Sequence, residues 1–365
     1  MPVFDSPCGQ LALNTWPNTT HSNTQPWNAA DEYLLSCAPE APSKVLVIND
    51  NWGALTCGLA NLGHEIHCYT DSYCSRQAIL ENLQQGDLTS HNKVDLLNDI
   101  TQPNEASYDA AYIQQPKSFD SLQYWLNQLI KIDTGIIHIA GMAKHFPVKW
   151  LNWLEQHGND YQQGQIKKKA RLISLRLPEQ LPAFSEFKGY HYNGDEYLGL
   201  PGVFCRDHLD IGSQVLLDHL PADISGHVID LGCGNGLLSK EIKKAFPKVT
   251  LTLCDDSAVA IKSAQINLSH EEIAADFHHT DVLNGVAKTA DWIICNPPFH
   301  KGNQVLTDIA QRMFDQSSQL LTKKGHLLVI ANRHLPYGKD LKRHFGGYQI
   351  LHNDARFTLY LCQKR

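Results

Sequence analysis

The chain repeats itself, and this restricts its architecture more than any single motif does. Six short stretches of the first half recur in the second half in the same order, at an offset of about 180 to 190 residues, such as 181 from Ile48 to Ile229 and 185 from Ala170 to Ala355. Lys44-Val45-Leu46-Val47-Ile48-Asn49-Asp50 with Gly53-Ala54-Leu55 resembles His227-Val228-Ile229-Asp230-Leu231 with Gly234-Asn235-Gly236-Leu237. Tyr69-Thr70-Asp71-Ser72 resembles Cys254-Asp255-Asp256-Ser257, and each leads into a helical stretch ending in Asn82-Leu83 or Asn267-Leu268. Residues 109–116 resemble 291–297, residues 138–141 resemble 329–332, and residues 170–175 resemble 355–360. One match means little, because strand–turn–helix units look alike. Six in one order imply two duplicated α/β domains.

Each half alternates apolar strands with helical stretches of roughly 10–15 residues, which calls for a mostly parallel sheet with helices on both faces. The last strand of each half follows another strand-like segment closely and is expected to run antiparallel. Pro, Gly and aromatic residues replace periodic pattern over residues 178–195. The expected division is therefore a first domain over 1–178, a linker over 179–195 and a second domain over 196–365. Residues 1–43 read as an N-terminal extension of weak pattern, with helical character over residues 29–35.

Composition removes several function classes. A net charge of -7 argues against a protein that coats nucleic acid non-specifically, though it leaves room for a local basic patch. The start of the chain has neither the basic nor the apolar segment of an export signal, and no apolar run approaches the roughly 20 residues of a membrane span. The ten cysteines contain no C-x-x-C pair and read as thiols in a reducing cytoplasm. The 19 histidines form no H-E-x-x-H, so no metal site is expected.

The second half carries the chemistry. Asp230-Leu231-Gly232-Cys233-Gly234-Asn235-Gly236 follows a short apolar strand. Alternate glycines permit a tight turn and a close approach to a ligand, and the helix from about Leu237 points its N-terminus there. The spacing is G-x-G-x-G, not the dinucleotide fingerprint G-x-G-x-x-G. An acid before the first glycine repels a pyrophosphate but suits an ammonium or sulfonium centre. Asp255 lies one βα unit later, at a second strand tip, where a carboxylate can accept both hydroxyls of a ribose. Asp281, followed by Val282, can accept from an adenine amine at a third tip. The fourth tip is Cys295-Asn296-Pro297-Pro298-Phe299-His300, where two prolines forbid both helix and ladder. Asn296, rigid carbonyls and Phe299 can together hold a planar amine-bearing group. Singly, each acid reads as an exposed loop residue. Four polar residues on successive strand tips, beside a glycine loop, read as one ligand site.

With these residues the chain resembles a class I S-adenosylmethionine-dependent methyltransferase of Rossmann-like fold, with the Asn-Pro-Pro-Phe motif of enzymes that methylate planar nitrogens. More narrowly it is similar to the tandem-domain bacterial rRNA guanine-N2 methyltransferases, whose N-terminal copy is degenerate. Residues 201–213 resemble the stretch that closes over the cofactor's methionine end, which implies roles for Phe204, Asp210 and Ser213. Residues 27–35, 168–173 and 331–335 favour the large-subunit (23S) enzyme. Residues 201–204, 212–214 and 335–337 lean to the small-subunit one. The resemblance implies S-adenosylmethionine as cofactor, bound by Asp230, Gly232, Gly234, Asn235, Asp255, Asp281, Val282 and Asn296. It implies a guanine N2 held by the Asn296 oxygen and the Pro297 carbonyl, with Phe299 stacked on the base. A nicotinamide dehydrogenase is disfavoured by the glycine spacing and Asp230. A non-catalytic assembly factor is disfavoured by the intact motif.

The first half departs from this pattern. Asn49-Asp50-Asn51-Trp52-Gly53 lacks alternating glycines, and Gln114-Gln115-Pro116-Lys117 replaces Asn-Pro-Pro-Phe. This half is expected to bind no cofactor and to serve structure or RNA positioning. Ile166-Lys167-Lys168-Lys169-Ala170-Arg171 is the densest basic run. An RNA substrate makes its lysines and Arg171 candidate RNA contacts, together with Arg206, His300, Lys301, Arg333, His334 and Arg356. A monomer is expected, since the duplication supplies within one chain what a dimer interface would.

Overall fold

The structure, a computed structural model, describes residues 2–17, 25–88, 93–102, 107–298 and 304–365. The chain divides into two units, Met1–Ser185 and Glu186–Arg365. The first unit opens with a hairpin of β1 (Val3–Ser6) and β2 (Gly9–Ala12), then helix α1 (Ala29–Leu35). There follow β3 (Lys44–Ile48), α2 (Ala54–Asn61), β4 (Glu65–Tyr69), α3 (Tyr73–Gln85), β5 (Val94–Leu97), β6 (Ser107–Gln114), α4 (Phe119–Leu129), β7 (Asp133–Met142), α5 (Val148–His157), β8 (Asn159–Gln163) and β9 (Ala170–Arg176). The second unit opens with a hairpin of β10 (Lys188–Tyr192) and β11 (Asp195–Gly199), then α6 (Ile211–Asp218). It continues through β12 (His227–Leu231), α7 (Leu237–Ala245), β13 (Thr250–Asp255), α8 (Ala258–Ser269), β14 (Asp276–His279), β15 (Ala290–Cys295), α9 (Gln304–Leu320), β16 (Leu321–Asn332), α10 (Tyr337–Phe345), β17 (Gln349–Asn353) and β18 (Phe357–Gln363).

The two seven-stranded sheets share one topology. The orders are β5-β4-β3-β6-β7-β9-β8 and β14-β13-β12-β15-β16-β18-β17. In each, β9 or β18 runs antiparallel to both neighbours, and the other ladders are parallel. The central strands are apolar almost throughout because helices cover both faces. In the second sheet Ile229, Leu231 and Ile293 pack into one core, and Val228, Trp292 and Ile294 into the other. That is the period-two alternation of a strand.

The ladders correct the repeat in three places. Ile48 pairs with Tyr69 and Ile113, whereas Leu231 pairs with Cys254 and Cys295. Ile48 therefore corresponds to Leu231, an offset of 231 − 48 = 183, and not to Ile229. By the same ladders Arg171 falls on Thr358 rather than on Arg356. Both are two-residue slips, and the third, Ile139 on Val329 rather than on Ile330, is a slip of one. A slip of two keeps every side chain on its own face, so residue types alone cannot detect it.

The N-terminal stretch also belongs to the repeat. Asn82 Nδ2 donates to the carbonyls of Asn14 and Trp52, and its Oδ1 accepts from the Asn14 N–H. Asn267 Nδ2 donates to the carbonyls of Leu198 and Asn235, and its Oδ1 accepts from the Leu198 N–H. Each asparagine ties an opening hairpin segment to the loop after the first central strand. Residues expected to form an extension are thus the first copy of the β10–β11 and α6 region. Regular structure in the second unit begins at Lys188, inside the stretch expected to be linker.

Candidate active site

Strands β14, β13, β12 and β15 are adjacent and parallel, so their C-terminal ends share one edge. Asp230 is the fourth residue of β12, Asp255 ends β13, Asp281 follows β14 and Asn296 follows β15. Sheet order brings all four expected polar residues together at the edge where open α/β sheets bind ligands.

The loop after β12 sits on three glycines of positive φ: Gly232 at 80°, Gly234 at 54° and Gly236 at 81°. A Cβ on Gly236 would lie 2.9 Å from Leu268 Cδ1 and 3.0 Å from Ala264 Cβ, so only glycine lets α7 pack this close to α8. A Cβ on Gly234 would meet nothing within 4 Å, so the loop backbone faces open space there. Asn235 is buried, with Nδ2 donating to Tyr190 Oη at 3.3 Å.

Asp230 is 1% exposed. Its Oδ2 accepts from the N–H and the hydroxyl of Ser239, at 3.1 and 2.7 Å, in the first turn of α7. Its Oδ1 is buried and has no partner. Burial pushes its carboxyl up to about 6, against the two Ser239 hydrogen bonds. Asp255 Oδ2 accepts from the Gly234 N–H at 2.9 Å and Oδ1 from the Ser257 N–H at 2.9 Å, so this tip also fixes the glycine loop.

Asn296 lies where the ladder must stop, because Pro297 and Pro298 have no N–H. Its Nδ2 donates to Asp210 Oδ2 and Ser213 Oγ, both at 2.9 Å. Asp210 is the N-cap of α6 and also accepts from the Ser213 N–H at 2.7 Å. A carboxylate can only accept, so this anchor fixes which end of the amide is oxygen. That oxygen, Oδ1, is buried and unpartnered. Pro297 is buried and Pro298 exposed. Phe299 and His300, expected on the same loop, lie outside the described residues, as does Lys301.

Asp281, expected as an acceptor for an adenine amine, accepts from Arg312 Nη1 through both oxygens, at 2.7 and 2.6 Å. One expectation is corrected. Arg206 is expected on RNA, yet it is 5% exposed and donates Nη2 to the Glu186 carbonyl at 3.0 Å. Val282 is buried with φ at 56°, a left-handed backbone that costs a β-branched residue about 1–3 kcal/mol. Phe204 is 66% exposed. Sequence reading missed Tyr190, Ser239 and Arg312. Ser239, a hydroxyl in the first helical turn after a glycine loop, carried a usable signal. Tyr190 and Arg312 carried none, because only tertiary packing brings them in.

Cys233, Cys254 and Cys295 are buried beside the site, and burial raises all three thiols, Cys254 to about 12. They are inert as nucleophiles at neutral pH. All ten cysteines are free. Among the described residues, no group of three His, Cys, Asp or Glu is placed to hold a metal ion. Nor is any helix among them long and apolar enough to cross a membrane.

In the first unit, Gln114 takes the place of Asn296 and Asp31 that of Ser213. Gln114 Nε2 donates to Asp31 Oδ1, and its Oε1 accepts from Asn51 Nδ2. Asp50 accepts from the Gly53 N–H through Oδ1, and from the Thr56 N–H and hydroxyl through Oδ2, all within 2.9 Å.

The sheet order, glycine loop and strand-tip acids define the class I methyltransferase fold. The family model "Methyltransferase small domain" matches residues 196–361, and "RLMG N-terminal domain" matches residues 1–179. Proteins named ribosomal RNA large subunit methyltransferase G are similar over the full length. The one from Alcanivorax borkumensis is 34% identical, covering 100% of this chain and 97% of its own. That of Vibrio vulnificus is 33% identical, with 97% of each covered, and that of Pseudomonas putida 34%, with 100% of each. This chain belongs to the ribosomal RNA large subunit methyltransferase G family. A T. thermophilus 16S rRNA N2 methyltransferase, solved with AdoMet and guanosine, has the same fold. It is 21% identical at a TM-score of 0.80, with 100% of this chain and 98% of its own covered.

Proposed function

We propose that this chain transfers a methyl group from S-adenosylmethionine to the exocyclic N2 of a guanine in large-subunit (23S) rRNA, acting as a cytoplasmic monomer. One observation carries this reading: the Asn296 amide is anchored through its nitrogen while its oxygen stays buried and unpartnered. An unpaired buried acceptor costs about 1–3 kcal/mol, so its retention calls for a donor from outside the chain. A guanine N2 amine is such a donor.

The residues suit the cofactor by the same test. Asp230 presents a second orphaned acceptor, of negative charge, next to a loop with open space over Gly234. Asp230, Gly232, Gly234 and Asn235 would hold the cofactor's methionine end, with Asp210 and Ser213 opposite. Asp255 would accept its ribose hydroxyls, and Val282 would line the adenine. S-adenosylmethionine, when bound, supplies an electrophilic methyl on a sulfonium sulfur.

The protein's part is positioning. The guanine N2 lone pair is conjugated with the ring and is a poor nucleophile. Asn296 Oδ1 and the Pro297 carbonyl would accept its two N–H groups and turn the lone pair toward the methyl. Phe299 would stack on the base, a contact of about 1–3 kcal/mol. Rigid prolines fix this geometry before the base arrives, which is where proximity gains most. No protein nucleophile is needed, and the proton leaves from the resulting cationic amine to solvent. The residues over 196–365 form the catalytic domain in this reading. Residues 1–178 form a cofactor-free copy that positions RNA or serves structure. The test is tritiated-methyl incorporation into unmodified 23S and 16S rRNA supplied separately. Incorporation into 23S alone is expected, and incorporation into 16S alone would overturn the assignment.

A further inference from the structure

Beside Asn296, the tips of β16 and β18 enclose an open cavity of about 600 Å3, lined by Asn332, Arg333, His334, Ala355, Arg356 and Phe357. It adjoins the strand-tip site. A methyl group placed on Gly212 would lie 3.3 Å from Phe357 Cε1 and 3.7 Å from Asn296 Oδ1. The Phe357 ring thus borders both the cavity and the space around the orphaned oxygen.

The cavity is cationic. Arg333, His334 and Arg356 are all exposed, and among the described residues none of them forms an ion pair. The Arg333 N–H donates to the Arg356 carbonyl at 2.8 Å, and Arg333 Nη1 donates to the Asp354 carbonyl at 3.2 Å, which ties the two tips together. The nearby acid, Asp354, is engaged within its own turn. Its Oδ1 accepts the N–H groups of Arg356 and Phe357, and its Oδ2 faces His352.

The first unit has the same tip with two of its charges engaged. The Ala143 N–H donates to the Lys169 carbonyl at 2.8 Å, repeating the Arg333–Arg356 contact. The lysine turn therefore stands where the Arg356 turn stands. There Lys168 pairs with Glu32 at 2.7 Å, Lys167 lies 4.7 Å from the centre of the Tyr33 ring, and Ala143 takes the place of Arg333.

We infer that the cavity holds the RNA phosphodiester next to the target nucleotide, with Arg333 and Arg356 as its paired donors. Phe357 is the apolar wall between that phosphate and the base. The inference rests on the proposed RNA substrate. A base reaching Asn296 must leave its stack, which brings its own backbone to the rim of the pocket. Guanidinium groups meet phosphate oxygens through parallel N–H donors, a geometry that lysine lacks. On a chain of net charge -7, the grip on RNA depends on such local cations.

The test compares Arg333→Gln/Arg356→Gln with Lys168→Gln/Lys169→Gln in the full-length protein. Binding of a guanine-containing single-stranded RNA oligonucleotide is titrated over a range of salt, and methyl transfer to 23S rRNA is followed in parallel. The arginine pair is expected to make the slope of log affinity against log salt shallower by about 1.4, two contacts at about 0.7 each. The KM for rRNA should rise by about tenfold or more, with kcat within about twofold and S-adenosylmethionine affinity unchanged. The lysine pair should leave the slope as it is. An unchanged slope in an arginine variant that melts like the wild type overturns the inference, and so does a change confined to the lysine pair. Should the double variant unfold, Arg356→Gln alone decides, with an expected slope change of about 0.7. Wild-type protein that transfers no methyl to rRNA sinks the functional reading instead, because the binding slope is read without turnover.

Discussion

The two units build the same strand-tip edge and finish it differently. In the first, Gln114 is held at both ends of its amide, by Asp31 and by Asn51, and Asp50 has hydrogen bonds on both oxygens. In the second, Asn296 and Asp230 are each held through one end only, and each buries an acceptor with no partner. Both edges are folded and packed, so fold alone does not separate them. A site that satisfies itself has nothing left to offer a ligand. A site that leaves two acceptors dry, at about 1–3 kcal/mol each, is shaped for something that comes from outside.

The sharpest test of this contrast is Asn296→Ala against Gln114→Ala. The first should lower methyl transfer on the order of 100- to 1000-fold, the loss typical when one preorganised polar group leaves a site. Cofactor affinity should survive it. The second should leave transfer intact, and an Asn296→Ala enzyme with wild-type turnover would erase the distinction. Calorimetry should next find one S-adenosylmethionine per chain, and a second site of similar affinity would mean that the first unit's edge is not closed.

Where the units agree, effects should match. Asn82→Ala and Asn267→Ala each unpair a hairpin and a loop, and each should cost about 1–3 kcal/mol in denaturant unfolding. Only the Asn267 variant should also weaken cofactor binding, because Asn267 holds the Asn235 carbonyl.

A pH difference is expected too. Burial, and then the charge of Asp50, push the Asp31 carboxyl up to about 8. The folded first unit therefore keeps a proton that the unfolded chain has already released. That stability is fully present below the ordinary carboxylate range and is lost as pH rises through about 8. Melting temperature should fall between about pH 4 and about pH 8, and Asp31→Asn should flatten the fall. The smallest effect belongs to Lys168→Ala. Its partner pair with Glu32 is on the surface, at 69% and 34% exposure, and should contribute less than about 1 kcal/mol.

The sequence showed the duplicated plan and the polar strand tips because both follow from short-range pattern. Apolar runs, glycine spacing and Pro297-Pro298 act within a few residues of themselves. Register was not legible, since a two-residue slip of β3 or β9 keeps the same faces buried. Nor were the partners that arrive from distant chain: Arg312 on Asp281, Tyr190 on Asn235, and the cap residue Asp210 on Asn296 as an anchor. The opening hairpin β1–β2 escaped notice for a related reason. Its equivalence to β10–β11 resides in one asparagine of α3 or α8, not in the hairpin's own residues.

One feature of the topology bears on how the chain is made. In each sheet the last strand to be synthesised is not an edge. β18 lies between β16 and β17, and β17 has no other neighbour in the sheet. A chain emerging N-terminus first must hold β8 unattached until β9 is out, and β17 unattached until Phe357–Gln363 arrives. Until then the edge of β16 is bare, and bare edges invite wrong pairing. The half that carries the candidate chemistry is thus the later of the two to close, and loss of Phe357–Gln363 would remove a strand from inside its sheet.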